Sequence, residues 1–197
     1  AGSERTNLKR LMDIVIAAAA LLLLSPIMLV IALLVKATSR GPVMYRQERV
    51  GLDKRSYQLL KFRTMRVDAE REGEPRWATK NDERVTGVGR IMRRLRLDEI
   101  PQFINVLRGE MSVIGPRPER PFFVDQLEKE IPYYSLRFSA KPGLTGWAQV
   151  NYKYGASVED AHTKLQYDLY YIQEMSLFLD LVILLKTFQT VLFHPGY

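Results

Sequence analysis

Hydrophobic positions in this chain are concentrated at its two ends. Residues 14–35 form a run of 22 positions without a charge. A straight helix of that length covers roughly 30 Å, the thickness of a bilayer's hydrocarbon core. Ser25-Pro26 lies mid-run. Pro26 has no N–H and its ring crowds the carbonyl of Leu22, which predicts a kink or break and two halves each too short to cross alone. Cations stand on both flanks, Arg5, Lys9 and Arg10 before the run and Lys36, Arg40 and Arg46 after it, so the positive-inside rule assigns no direction. Two topologies fit: a helix–break–helix that enters and leaves one leaflet with both ends cytoplasmic, and a kinked spanning helix. Residues 177–193 form the second apolar stretch. Asp180, Lys186, Thr187, Gln189 and Thr190 fall in one half of a helical wheel, with Leu181, Leu184, Leu185, Phe188, Val191 and Leu192 in the other. Alone this reads as an amphipathic core helix; beside an N-terminal anchor it predicts a helix lying in the membrane interface.

Between the ends the pattern shortens. Alternation over 43–50 and 56–65 around a turn at 51–55 predicts a β-hairpin. Residues 66–86 are polar and predict a surface loop. Residues 87–107 carry a helical pattern interrupted by Pro101, and Gly109 is the candidate C-cap. A short apolar stretch at 111–114 leads into a stiff Gly115-Pro116-Arg117-Pro118 loop. A short helix at 121–130, a loop over 141–146 and a strand or turn at 147–150 follow. Ser157 is the predicted N-cap of a helix through Tyr171, with Asp160 in its first turn. The fold class expected is α/β, mostly helical with a small β-hairpin, without the βαβ alternation of a doubly wound sheet. The expected layout is a cleavage scar (Ala1-Gly2-Ser3) and linker over 1–6, a re-entrant membrane helix over 7–40, a cytoplasmic catalytic domain over 41–175 and an interfacial helix over 176–197. The scar carries the expectation that the natural chain begins earlier.

Composition narrows the chemistry. The 197 residues contain no cysteine, and the two histidines, His162 and His194, read as surface residues. Disulfide frameworks, thiolate metal sites and thiol nucleophiles are thereby excluded. Carboxylates, cations, hydroxyls and a hard oxygen-bound metal remain. The 29 Lys and Arg against 22 Asp and Glu leave a net charge of +7. With no helix-turn-helix or RNP-like motif, nucleic acid is not the favoured partner; an anionic leaflet and a diphosphate substrate are.

The densest polar constellation is Arg90, Arg93, Arg94, Arg96, Asp98, Glu99, Pro101 and Gln102. On an unbroken helix Asp98 and Glu99 would point about 100° apart. Pro101 disfavours helical geometry at Ile100, so both carboxylates sit at a break and can face one pocket. Carboxylates kept ionised by arginines suit metal binding or nucleophilic attack on phosphorus. The competing reading is a solvated ion-pair network. Further cationic places are Lys61-Phe62-Arg63-Thr64-Met65, Arg117 and Lys141-Pro142-Gly143. Together they offer Lys61, Arg63, Thr64, Arg93, Gln102, Arg117 and Lys141 as substrate contacts. No Walker A or Gly-x-Gly-x-x-Gly pattern is present.

These residues stand in an order that resembles the bacterial sugar transferases known as monotopic phosphoglycosyl transferases. The resemblance runs through Lys9-Arg10-Leu11-Met12-Asp13, Ser25-Pro26, Lys61-Phe62-Arg63-Thr64-Met65, Leu97-Asp98-Glu99-Ile100-Pro101-Gln102, Asn105-Val106-Leu107-Arg108-Gly109, Gly115-Pro116-Arg117-Pro118 and Pro142-Gly143-Leu144-Thr145-Gly146. It implies a re-entrant anchor and transfer of a sugar 1-phosphate from a UDP-sugar to polyprenyl (undecaprenyl) phosphate, with release of UMP. It implies Asp98 as nucleophile, a covalent phosphosugar-aspartate intermediate, and Glu99 assisting the lipid phosphate or the metal. Mg²⁺ is the implied cofactor, membrane lipids are implied surroundings, and homo-oligomers are left open. The place implied is the cytoplasmic face of the bacterial inner membrane. Lys141 stands where many members carry arginine, which loses the fork geometry of a bidentate contact. Tyr154-Gly155-Ala156-Ser157 and the 165–171 run resemble members that start exopolysaccharide assembly, often with hexose substrates. Two other classes remain beside this one: a non-catalytic membrane-anchored module for anionic lipid or nucleic acid, and a metal-dependent phosphatase or nucleotidyl transferase.

Overall fold

A computed structural model describes residues 2–67, 69, 82–152 and 157–193. Most of the predicted loop at 66–86, the 154–156 segment and His194 lie outside the described residues. The first helix, α1, runs Gly2–Thr38 with Pro26 inside it. The predicted linker is therefore helical over residues 2–6, and of the kink or break expected at Ser25-Pro26 the break is absent, since α1 continues through it. The reason is local. Pro26 leaves the Leu22 carbonyl without its N–H donor, and Ser25 Oγ donates to that carbonyl at 2.8 Å. α1 is long and apolar enough to cross a membrane.

One face of α1 lies on the rest of the protein. Asp13, Ala17, Ile31 and Val35 are buried along it, while Val15, Leu22, Leu23, Leu29 and Leu33 are exposed. Polar bonds fasten both ends. Lys9 Nζ meets Asp180 at 2.8 Å. Arg10 donates to the Val106 and Leu107 carbonyls at 2.6 and 2.9 Å. Asp13 Oδ1 accepts from Ser112 Oγ and the Val113 N–H at 3.0 and 2.9 Å. At the other end the Arg63 guanidinium donates to the Ser39 and Arg40 carbonyls.

The hairpin forms as predicted: β1 (Met44–Val50) and β2 (Ser56–Phe62) pair antiparallel, Met44 opposite Phe62. The outer edge of β2 is closed by a side chain. Asn105 Oδ1 accepts from the Leu60 N–H at 3.0 Å and its Nδ2 donates to the Gln58 carbonyl at 2.8 Å. Asn105 belongs to α3 (Gln102–Arg108), which Gly109 caps at φ 83°. The predicted helix over 87–107 is three pieces: α2 (Gly87–Arg94), a 3₁₀ turn at Leu97–Glu99, and α3. The break differs from the expectation. Ile100 is helical (φ −52°, ψ −40°) and Pro101 precedes α3, where its missing N–H costs nothing. The chain turns instead at Arg96, which is left-handed at φ 55°.

β3 (Ser112–Ile114) pairs parallel with β4 (Gly143–Thr145) inside the predicted 141–146 loop. A Cβ on Gly143 would lie 2.1 Å from the Gly115 nitrogen, so the two motif loops pack backbone to backbone. α4 (Pro121–Glu130) and a 3₁₀ segment at Tyr134–Ser139 cover the hairpin's far side. The strand or turn predicted at 147–150 is a helix, α5 (Trp147–Asn151). α6 (Val158–Gln173) starts at Ser157 with a reciprocal capping box to Asp160. α7 (Leu177–Phe193) turns its polar side inward. Asp180 accepts from the Tyr171 hydroxyl, Lys186 bonds to Asn151 and Thr187 to Thr145. Phe178, Leu181, Leu185 and Phe188 face outward, 77%, 53%, 64% and 68% exposed. A water-facing helix carries the opposite arrangement. The core holds Val106, Met111, Ile114, Tyr171 and Ile183, with a second cluster at Val50, Phe123, Leu127, Tyr134 and Phe138.

Asn105→Ala strands two backbone groups of β2 in a dry site. We expect a loss of about 2–4 kcal/mol in urea unfolding. A loss below about 0.5 kcal/mol would show that the edge of β2 does not depend on this amide.

Candidate active site

The Asp-Glu pair occupies the 3₁₀ turn between α2 and α3, and three elements bring cations to it. Lys61, near the end of β2, donates from Nζ to Glu99 Oε1 at 2.8 Å. Arg117, from the stiff 115–118 loop, donates from Nη2 to the same oxygen at 2.8 Å. Arg93, in the last turn of α2, bonds through Nε to Thr64 Oγ1 at 2.9 Å and acts on Asp98 by its charge. α2 can lie this close to the hairpin because residue 89 is glycine. A Cβ there would stand 2.1 Å from the Thr64 carbonyl oxygen, and Arg93 follows four residues later on the same face.

The two carboxylates differ. Burial alone would raise Glu99, but Arg117 and Lys61 outweigh it and hold this group well below the usual glutamate range. Asp98 is only 7% exposed and makes no ion pair. Its burial raises it above the usual aspartate value, Glu99 adds to the rise, and Lys61 and Arg93 oppose it. The turn thus holds one locked, ionised glutamate beside one buried aspartate whose oxygens are uncommitted to any cation. Such an aspartate, with guanidinium and ammonium groups nearby to receive phosphate oxygens, is equipped for nucleophilic attack on phosphorus. Among the described residues no three His, Asp or Glu side chains cluster around a metal position. Two carboxylates nonetheless fit Mg²⁺, which binds through one or two carboxylates together with substrate phosphates. Asp98 and the free Oε2 of Glu99 would hold it.

Of the other predicted contacts, Thr64 is present through Arg93. Gln102, four residues after Asp98, is buried with its Nε2 unpartnered. Arg63 and Lys141 lie elsewhere: Arg63 is buried against the end of α1, and Lys141 stands beside Arg10. Two supports escape the residue-type reading. Arg137 donates to the Arg117 carbonyl at 2.8 Å and pairs with buried Asp168 at 2.8 Å, so α6 holds the loop that delivers Arg117. Asn105 holds the strand that delivers Lys61. A lone asparagine among Phe103, Ile104 and Val106 is the sequence signal for the second; for Arg137 and Asp168 there is none beyond the 165–171 run.

A profile of the family described as Bacterial sugar transferase matches residues 4–194. The chain belongs to the bacterial sugar transferase family. It is 49% identical over 94% of its length to the UDP-N-acetylgalactosamine-undecaprenyl-phosphate N-acetylgalactosaminephosphotransferase of Aeromonas hydrophila, covering 44% of that protein. It is 48% identical over 91% of its length to the UDP-glucose:undecaprenyl-phosphate glucose-1-phosphate transferase of Klebsiella pneumoniae, covering 39% of it. It is 40% identical over 95% of its length to the Exopolysaccharide production protein ExoY of Rhizobium meliloti, covering 87% of it. The chain thus spans less than half the length of the first two. In this bacterial sugar transferase the electrostatics of the pair are directly testable. In metal-free protein labelled with ¹³C at aspartate carboxyls, Asp98 should protonate above 3.8 on acidification. Arg93→Gln, which removes an opposing cation, should move that titration to higher pH. An unchanged or lower value would remove Arg93 from the electrostatics of Asp98.

Proposed function

We propose that this chain transfers a sugar 1-phosphate, a hexose 1-phosphate, from a UDP-sugar to polyprenyl (undecaprenyl) phosphate and releases UMP. The observation that carries this reading is the asymmetry of the pair: Glu99 is neutralised by Lys61 and Arg117, and Asp98 is buried without an ion pair. The names of the relatives support the substrate classes. In the first step an Asp98 oxygen attacks the β-phosphorus. The bond from that phosphorus to the bridging oxygen breaks, and UMP leaves with the electron pair. In the second, an oxygen of the polyprenyl phosphate attacks the phosphorus held on Asp98, forms the new diphosphate and returns the carboxylate. Lys61, Arg93 and Arg117 stand ready to take phosphate oxygens, and Gln102 has an amide donor to spare. Mg²⁺, when bound, supplies further charge screening of the diphosphate. The product would start assembly of an exopolysaccharide or another glycoconjugate.

The membrane reading is that α1 enters and leaves one leaflet and α7 lies in the interface, on the cytoplasmic face of the inner membrane. Its support is that both ends of α1 bond to one domain, and that the outward faces of α1 and α7 are apolar. A nucleotide sugar and a lipid phosphate then meet at headgroup height. A non-catalytic lipid-binding module would leave the buried Asp98 without a task.

Asp98→Asn should abolish UMP release. Wild-type enzyme given UDP-sugar without lipid acceptor should release about one UMP per chain and gain the mass of one phosphosugar. A wild-type rate in the Asn variant would dismiss Asp98 as nucleophile. For topology, Leu8→Cys and Arg40→Cys in this cysteine-free chain should both be labelled from the same side of sealed vesicles. Labelling from opposite sides would establish a spanning helix.

A further inference from the structure

A groove of about 650 Å³ lies apart from the acid pair, and neither Asp98 nor Glu99 lines it. It lies between the hairpin, the C-terminal end of α3 and Lys141. Arg46, Arg55, Arg108 and Lys141 line it, and none of the four forms an ion pair or a side-chain hydrogen bond. Its two acids do not answer them. Glu110 is engaged by the Asn105 amide at 2.6 Å, and Asp53 belongs to the hairpin turn at the groove's other end. The buried Tyr57 hydroxyl, also in the lining, has no hydrogen-bond partner.

Cations gather at one end of this groove. A Cβ on Gly109 would lie 3.6 Å from Arg10 Nη2 and 3.8 Å from Lys141 Nζ. Two cationic heads therefore converge on one glycine, and Arg108, the residue before it, lines the same groove. Lys141 is half-buried; burial and the Arg10 charge lower its proton affinity, and the Asp13 carboxylate opposes them in part. Like charges held together in a partly desolvated groove are relieved by an anion. Position selects the anion. Arg10 is one turn before the apolar run of α1, and its guanidinium is fastened to the end of α3. This end of the groove thus opens where the polar domain meets the anchor, at the height of phosphate headgroups.

We propose that the end of the groove formed by Arg46, Arg108 and Lys141 binds a phosphate group, that of an anionic membrane lipid, at a site separate from the Asp98-Glu99 pair. The proposal rests on the membrane placement given above, not on the transferase chemistry. Arg108 and Lys141 act as the two principal cations, and the Tyr57 hydroxyl is an available donor.

The full chain in a neutral detergent, with dioleoylphosphatidylglycerol or dioleoylphosphatidylcholine added, tests this by native mass spectrometry of retained lipid. Wild type should retain the phosphatidylglycerol preferentially. Arg108→Gln with Lys141→Gln should lower that retention, about fivefold for each cation removed, while the melting temperature holds. Arg46→Gln, on an exposed strand position, gives an independent variant with the same expected direction. Equal retention of both lipids by wild type, or equal retention by wild type and all variants, overturns the proposal. Inorganic phosphate is the soluble arm. If it binds at millimolar concentration with the same dependence on Arg108 and Lys141 while phosphatidylglycerol does not, the lipid source is overturned. UMP release by the wild-type chain is measured alongside, so failure of the transferase reading is seen separately from failure of this site.

Discussion

Two neighbouring carboxylates share one short turn, both largely removed from water, and the packing around them answers that cost. Asp98 and Glu99 repel each other and both lose hydration. The structure answers with three cations from three places. Each arrives through a distinct packing device: Asn105 holds the strand carrying Lys61, Gly89 admits the helix carrying Arg93, and Arg137 with Asp168 steadies the loop carrying Arg117. The cations are divided unequally. Glu99 takes two direct bonds, and Asp98 receives only the field of the neighbours. One carboxylate is thereby stabilised as an anion while the other keeps free oxygens in a dry setting, which is the division of roles a nucleophile and its electrostatic support require.

The membrane-facing surfaces follow a second rule, that polar groups turn inward when the outside is apolar. In α7, Asp180, Lys186 and Thr187 bond to the domain and the phenylalanines and leucines face out. In α1 the same holds toward the N-terminal end, where Lys9, Arg10 and Asp13 are spent on contacts with α7, α3 and β3. Asp180 joins the two helices, since it accepts from both Lys9 and Tyr171. α1 and α7 are therefore tied together, and the Asp98-Glu99 turn is fixed to them through α3. The groove cations Arg108 and Lys141 lie near the same end of α1, beside Arg10.

Much of this was legible in the residues. The hairpin, the capped α6, the Gly109 cap and the position of both apolar segments follow from periodicity and capping, because those are local preferences of the backbone. The Asp98-Glu99 turn was legible as a helix break, but its cause was misplaced. A proline before a helix is tolerated, and the strained residue is Arg96. At Pro26 the helix does not break, and the Ser25 hydroxyl takes the carbonyl that the proline leaves without a donor. β4 was read as a loop and α5 as a strand or turn, since segments of three to five residues take their conformation from neighbours rather than from propensity.

By itself the sequence determined the chemical inventory: no thiol, an adjacent acid pair, several cationic motifs and two apolar ends. It also determined the family resemblance, because ordered motifs are a property of the chain. Which cations serve the pair was decided only in three dimensions. Lys61, Arg93 and Arg117 converge on it, whereas Arg63 closes the end of α1 and Lys141 faces another groove. Arginine and lysine look alike along a chain because a charge carries no direction. The partner of each is set by long-range packing, here by glycines that permit close approach and by buried Asn105 and Asp168 that hold the approaching strands and loops in place.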